Sequence, residues 1–175
     1  MVDSIKDVFE ACAQNNCLQT VNFPQFAVYD RVGQCCYICT ENPPNTLCFF
    51  TVTNPSEKPI NFLAIDKCLI SEDNEDEKKC DCAVFDEKEF HFVEIKTAST
   101  ASRSKRRVKA FEQLKHTIGL FKSKIDFTNY DVFAMVCIGC KVIYPRSTSS
   151  HMGRRMEMSM RYNVKFVEGN MIPFE

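Results

Sequence analysis

The amino-acid sequence predicts a layered α/β or α+β domain. Three observations carry that expectation. Short segments rich in aromatic and β-branched residues, separated by turn signals, dominate the stretch from Phe26 to Thr97. A helical stripe of Phe111, Leu114, Ile118 and Phe121 follows them. Asp131–Ile138 is then a mostly apolar run with polar boundaries, the pattern of a buried strand. Strands, a helix and more strands around one sheet give a layered architecture. The 175 residues fit a single domain spanning 1–175, with no internal repeat and no linker composition.

The elements can be placed in order. Ile5, Val8, Phe9 and Cys12 recur at helical spacing, with Ser4 as N-cap and Asp7 three residues on, which predicts a helix at about 4–17. Phe26–Asp30 and Cys35–Thr40 flank Arg31-Val32-Gly33-Gln34 and read as a hairpin. Leu47–Thr53 reads as a strand ending at Asn54-Pro55, and a further strand follows Pro59 over about 60–70. Ser71–Lys79 is polar and mostly charged, the composition of a solvated loop. Lys79–Phe85 and Phe90–Thr97 are strands joined by the polar link Asp86-Glu87-Lys88-Glu89. The small polar segment Ala98–Ser104 leads into a helix at about 105–124. Ser147–Ser150 reads as a loop, and Asn163–Val167 and Met171–Phe174 are strands around Glu168-Gly169-Asn170.

Composition excludes several classes. With 45% hydrophobic and 26% charged residues the chain is neither disordered, collagenous nor a coiled coil. No apolar run approaches the ~18 residues of a membrane span, and Met1 to Lys6 lack a basic start and apolar stretch, so a cytoplasmic protein without membrane contact is expected. The 11 cysteines are an odd number without a secretion signal, which favours reduced thiols over a disulfide framework. The net charge of −1 conceals a split: residues 1–100 hold 17 acids and 8 Lys/Arg, residues 101–175 hold 6 and 14. Such a split suggests a polyanion-binding half.

The chemistry concentrates in Cys80-Asp81-Cys82-Ala83-Val84-Phe85 and Phe92-Val93-Glu94-Ile95-Lys96. Side chains alternate along a strand, so Glu94 and Lys96 share a face, and Asp81 on the adjacent strand reaches that face in the right register. Two carboxylates converging from neighbouring strands offer hard oxygens to Mg²⁺. A lysine beside them can orient a water and offset charge on a phosphorane-like transition state. Glu-x-Lys alone carries little, since two exposed charges on an amphipathic strand look the same. Charges flanked by Val93, Ile95, Val84 and Phe85 on a sheet that a helix covers need a reason to be there.

These motifs resemble the core of the PD-(D/E)xK nuclease superfamily. Ile65-Asp66-Lys67-Cys68-Leu69-Ile70, Lys79-Cys80-Asp81-Cys82, Phe92-Val93-Glu94-Ile95-Lys96 and Ala110-Phe111-Glu112-Gln113-Leu114 follow one another over about residues 60–120. Together they are similar to a group of small bacterial members with an Asp-x-Cys strand, a Cys-Asp strand, a Glu-x-Lys strand and a helical Gln-Leu. The resemblance implies a restriction-endonuclease-like three-layer core, a mixed β-sheet flanked by helices. It further implies that Asp81 and Glu94 bind Mg²⁺ or Mn²⁺ with the backbone carbonyl of Ile95, and that Lys96 is catalytic. Asp66 would be an earlier acid that binds metal or holds the site, and Gln113 a helical glutamine facing the centre. The sequence departs from the pattern at Cys80, where the name of the superfamily has proline, and at Lys67, where a glycine is expected. Glu10 is a candidate acid from the first helix, ranked below Asp66.

The basic run Arg103, Lys105, Arg106, Arg107 and Lys109 straddles a loop and a helix N-terminus. A run of this kind is often only a solvated face; beside a candidate nuclease site it suits phosphate contact. Arg154, Arg155 and Arg161 form a weaker second patch. Cys36-x-x-Cys39 and Cys137-x-x-Cys140 could supply zinc thiolates, but residues three apart on a strand face opposite ways, so buried thiols are expected. His91 should lie opposite Glu94, and His116 should share the Gln113 face of its helix. The expected activity is metal-dependent hydrolysis of nucleic-acid phosphodiesters, DNA before RNA, by a homodimer or with a partner protein that supplies specificity. The alternative is a non-catalytic module of the same fold that binds nucleic acid or protein.

Overall fold

The structure, a computed structural model, describes residues 1–30, 33–40, 48–70, 79–96, 103–138 and 149–175. Ten strands and four helices are found among them. The larger sheet is built from β1 (Leu18–Val21), β5 (Ile60–Ala64), β6 (Cys82–Phe85), β7 (Glu89–Lys96), β8 (Asp131–Ile138) and β9 (Lys165–Glu168), neighbours in that order. The first four run antiparallel to their neighbours, while β7, β8 and β9 run parallel. A parallel step needs a crossover, and helix α3 (Arg103–Lys122) makes the one from β7 to β8. Helix α4 (Ser149–Tyr162) makes the next, from β8 to β9.

A second sheet, β10–β4–β2–β3, contains Met171–Pro173, Phe49–Thr53, Gln25–Tyr29 and Tyr37–Cys39. Sequence patterning suggests a single sheet, because an alternating strand does not record which sheet its neighbour joins. β9 and β10 are consecutive yet lie in different sheets, so Glu168-Gly169-Asn170 links two layers and does not close a hairpin.

The alternation along β7 sorts the layers. Phe90 and Phe92 meet Phe121 of α3, with ring centroids 6.4 and 5.2 Å apart. His91, on the other face, meets Phe174 just after β10 at 5.3 Å. β7 is therefore covered by a helix on one face and by the second sheet on the other, and its residues from Phe90 to Ile95 are all buried. Fully burying each phenylalanine contributes about 1.5–3 kcal/mol.

Several elements differ from expectation. The first helix ends early: α1 covers Val2–Val8 and α2 only Ala11–Gln14, with no side-chain cap at the start of either. Phe9 leaves the helix at φ −118°, ψ 92°, and its ring packs 4.9 Å from Phe121. Tertiary packing overrides the helical period there. Helix α4 goes unpredicted because Met156, Met158 and Met160 alternate as a strand would, and Ser149 and Ser150 lie inside the helix where a loop is expected. The expected loop at 71–79 lies mostly outside the described residues. The hairpin of β2 and β3 forms as expected, with Tyr29 opposite Tyr37, and β8 covers the expected Asp131–Ile138.

The cysteine expectation is corrected at one pair. Cys17 and Cys68 form a disulfide with a Cα–Cα distance of 5.6 Å, bringing together residues 51 apart in sequence. Cys17 enters β1, whose partner β5 leads to Cys68, so strand pairing itself brings the two thiols together. The remaining described cysteines, Cys36, Cys80, Cys82 and Cys137 among them, are mostly buried. Closing a loop of this length restricts the unfolded chain by about 4 kcal/mol. Reduction, or Cys68→Ser, should therefore lower the melting temperature by several degrees without changing the circular-dichroism spectrum of the folded state. A melting temperature indifferent to dithiothreitol would show that the bond is dispensable.

Candidate active site

The register of β6 on β7 puts Cys82 opposite Val93. One position further, Asp81 stands beside Glu94 where regular pairing ends. The Asp81 carboxylate takes the place of the ladder: Ile95 N–H donates to its Oδ2 at 2.5 Å. The N–H and C=O of a strand residue leave the same edge, so the Ile95 carbonyl also lies on the Asp81 side. Glu94 shares the Phe92 face and is wholly buried. Its Oε1 forms an ion pair with Lys96 Nζ, and its buried Oε2 has no hydrogen-bond partner among the described residues. The Lys96 side chain is 20% exposed and connects this pair to solvent.

Helix α3 and the end of β5 hold Asp81 from both sides. Gln113 Nε2 donates to the Lys79 carbonyl at 2.7 Å. Thr117 Oγ1 accepts the Cys80 N–H at 2.8 Å and donates to the Gln113 carbonyl at 3.0 Å. The Asp81 carbonyl accepts from Ile65 N–H at 3.0 Å and Asp66 N–H at 3.3 Å, which sets Asp66 beside the site. Lys67 follows with φ +61°, a left-handed conformation that favours glycine, at the position where the resemblance leads one to expect glycine.

Burial pushes the Asp81 pKa up to about 7; Lys96 works against the rise, and Asp30 and Asp66 add to it. Glu94 is raised well above the usual carboxylate range by burial and then by Asp81, with Lys96 opposing. Burial alone would lower the Lys96 pKa, but the Glu94 and Asp81 carboxylates outweigh it and hold the ammonium charged. Asp30, at the end of β2, is raised by burial and interacts with Lys96, Lys67 and Asp66. It is the site residue that sequence reasoning missed. The available signal was an acid ending the apolar run Phe26-Ala27-Val28-Tyr29, but only the packing of the second sheet brings it to Asp81.

Asp81, Glu94 and Lys96 are thus brought together, with Asp66 and Asp30 in the same electrostatic cluster. Gln113 reaches the segment that leads to Asp81: its Nε2 donates to the Lys79 carbonyl, and its buried Oε1 has no hydrogen-bond partner among the described residues. Glu10 and His116 are exposed. His91 lies opposite Glu94 as expected, buried with its ring stacked on Phe133 at 4.4 Å and Nε2 2.9 Å from Glu89 Oε2. In the basic run Lys105 and Lys109 are exposed, but Arg107 Nε is spent on Glu168 Oε2 at 3.1 Å. The Arg103 side chain lies outside the described residues, as does Cys140 of the second Cys-x-x-Cys pair.

No family model, curated protein or solved structure matches the chain.

Among the described residues, no three His, Cys, Asp or Glu side chains are gathered closely enough to hold a metal ion. Mg²⁺ is commonly held by only one or two carboxylates, keeping several waters. A buried Glu94 oxygen without a hydrogen-bond partner among the described residues, Asp81, and the Ile95 carbonyl on the Asp81 side match that donor chemistry.

Two outcomes follow from this geometry. The folded-state pKa of Asp81 lies above its unfolded value, so its contribution to stability is full below about pH 4 and is lost as pH rises through about 7. Asp81→Asn should therefore melt above wild type at pH 8, by about 2–4 °C per kcal/mol relieved, and the gap should close towards pH 5; a pH-independent gap would reject the assignment. Lys67→Gly should stabilise the protein by about 1 kcal/mol by relieving the left-handed backbone, read as a higher denaturant midpoint at unchanged m-value.

Proposed function

We propose that the chain is a metal-dependent nuclease of the PD-(D/E)xK type with a restriction-endonuclease-like fold. The observation that carries this reading is a wholly buried glutamate next to a charged lysine, facing an aspartate on the adjoining strand. A buried carboxylate is costly unless its site has a use for the charge. The strand sequence supports the same reading: three antiparallel strands β5, β6 and β7, then α3, then parallel β8. That order accords with a core in which two neighbouring strand ends carry the acids.

On this reading Asp81, Glu94 and the Ile95 carbonyl would hold Mg²⁺ or Mn²⁺. The ion, when bound, polarises the phosphodiester and lowers the pKa of an attacking water. Lys96 orients that water and offsets charge developing on the phosphoryl oxygens. Asp66 and Asp30 set the local field, and Gln113 and Thr117 fix the strand that carries Asp81. Hydrolysis is direct, with no covalent enzyme intermediate. Lys105 and Lys109 of α3 are the exposed cations that would meet a DNA backbone. Arg107, tied to Glu168, is a structural residue in this scheme. No described helix is long and apolar enough to cross a membrane, and the reading places the enzyme in the cytoplasm.

A second reading has one observation in its favour. The Glu94–Lys96 ion pair neutralises the glutamate without a metal, as a non-catalytic binding module of the same fold would require.

Cleavage of mixed DNA and RNA substrates in Mg²⁺, Mn²⁺ or EDTA distinguishes the two. Metal-dependent cutting should fall at least about 100-fold in Lys96→Ala and Glu94→Ala, with the circular-dichroism spectrum retained. Undiminished cutting by Lys96→Ala would remove the catalytic assignment. Metal-independent binding without cutting would establish the module.

A further inference from the structure

The second sheet ends at β10 and the larger sheet ends at β9. Between β10 and the faces of β8 and β9 lies a cavity of about 320 Å³, within the range of small-molecule sites. Phe133, Met135, Val167 and Ile172 form its apolar wall, and Phe133 and Val167 are only half-buried. His91 also lines it, on the face of β7 opposite Glu94 and about 16 Å along the strand from Lys96. The cavity is thus separate from the candidate active site.

The polar groups left open around this cavity are acceptors. His91 is 7% exposed, and burial holds its pKa below the usual value against the pull of Glu89. The neutral ring keeps its proton on Nε2 to donate to Glu89 Oε2 at 2.9 Å, so Nδ1 is an acceptor. Nδ1 has no hydrogen-bond partner among the described residues. A buried acceptor in that condition calls for a donor from outside the chain. The neighbouring charges point the same way. Asp86 is filled: Oδ1 accepts the Lys88 and Glu89 N–H groups at 2.8 and 2.7 Å, and Oδ2 pairs with Lys58 at 2.9 Å. Lys58 also donates to the Glu175 carbonyl at 2.5 Å, which leaves it little for a ligand. Lys165, 5.0 Å from the Phe133 ring centre, is held by Asp131 at 3.0 Å. The carboxylates of Glu89 and Glu175 then stand on the rim against the exposed Lys88.

We propose that this cavity binds a small organic cation, a primary amine on an aromatic or branched apolar body. An ammonium brings three donors and no acceptor, which suits the His91 Nδ1 lone pair and the Glu89 carboxylate. The apolar body covers Phe133, Met135 and Val167, and the Met135 thioether adapts to rings and branched chains alike. An anion would meet the imidazole lone pair and two carboxylates, and like charges brought together are costly. A neutral alcohol has one donor to share between His91 and Glu89 and gains nothing from the excess of acid. An added β-strand is a poor occupant, because Pro173 has no N–H to offer at the edge of β10. The proposal holds whether or not the chain cuts nucleic acid.

The test uses the full chain with ¹³C-methyl methionine, because Met135 and Met171 line the cavity while Met158 is buried under α4. Titration with 2-phenylethylamine or isopentylamine should shift the Met135 and Met171 methyls saturably and leave Met158 in place. 3-Phenylpropionate, an acid of similar shape, should bind about 10-fold more weakly or not at all. Glu89→Gln, and His91→Phe, which keeps an aromatic ring and removes Nδ1, should each weaken amine binding about 10-fold, with the Met158 methyl reporting that the variants remain folded. Val167→Trp should fill the cavity and abolish the shift. Absence of a saturable shift with both amines overturns the proposal. So does equal or tighter binding of 3-phenylpropionate. Unchanged amine affinity in Glu89→Gln overturns it even if His91→Phe fails to fold.

Discussion

The pairing of β6 with β7 is the constraint on which the rest depends. A strand register is all or nothing, since a slip by one residue turns every side chain to the other face. With Cys82 fixed opposite Val93, Glu94 must turn inward with Phe92, and Asp81 must meet the Ile95 amide. The apolar residues around them leave no alternative: Val84, Phe85, Phe90, Phe92 and Val93 are all at 0% exposure. The core thus enforces a geometry that the carboxylates would not choose for themselves. A carboxylate in such surroundings is held near its protonated form unless a cation replaces the proton, and the site combines one such cation, Lys96, with several acids.

Much of this was legible in the sequence, and the reasons differ by element. The β6–β7 hairpin and β8 follow from short apolar runs with polar boundaries, since these strands are buried on both faces, and α3 follows from its apolar stripe of helical period. Asp81, Glu94 and Lys96 were legible because the alternation of side chains and a short link are enough to set them side by side. Asp30 was not, because its position depends on how a second sheet packs, and that information is spread over residues far from Tyr29. The α4 helix was hidden because buried Met158 and exposed Met156 and Met160 alternate as the residues of a strand would. The Cys17–Cys68 bond was missed because a compartment argument was set against a spatial fact: β1 and β5 pair, and their ends carry the two thiols.

Gln113 shows how a helix residue can position a strand. Its helical place near the acids was expected, and its amide donates to the Lys79 carbonyl. With Thr117 one turn later, it converts α3 into a clamp on the backbone that presents Asp81. Arg107 is a similar case, a cation in a basic run whose guanidinium is fixed on Glu168 of β9. Such residues precede chemistry: they determine where the reactive groups stand, and they leave Lys105 and Lys109 as the outward charges of the helix.

The second sheet has a peculiar assembly order. Its strand β10 begins at Met171 and runs parallel to β4, which ends at Thr53. Nearly the whole chain between them must be synthesised before that edge of β4 can be covered. At about 5–20 residues per second, the intervening segment takes on the order of 6–24 s. Throughout that interval a newly made chain carries Phe49 to Thr53 as a bare, apolar strand edge, open to pairing with any other extended segment. Until β10 is made, that edge leaves the newly made chain more open to mispairing than the finished molecule is.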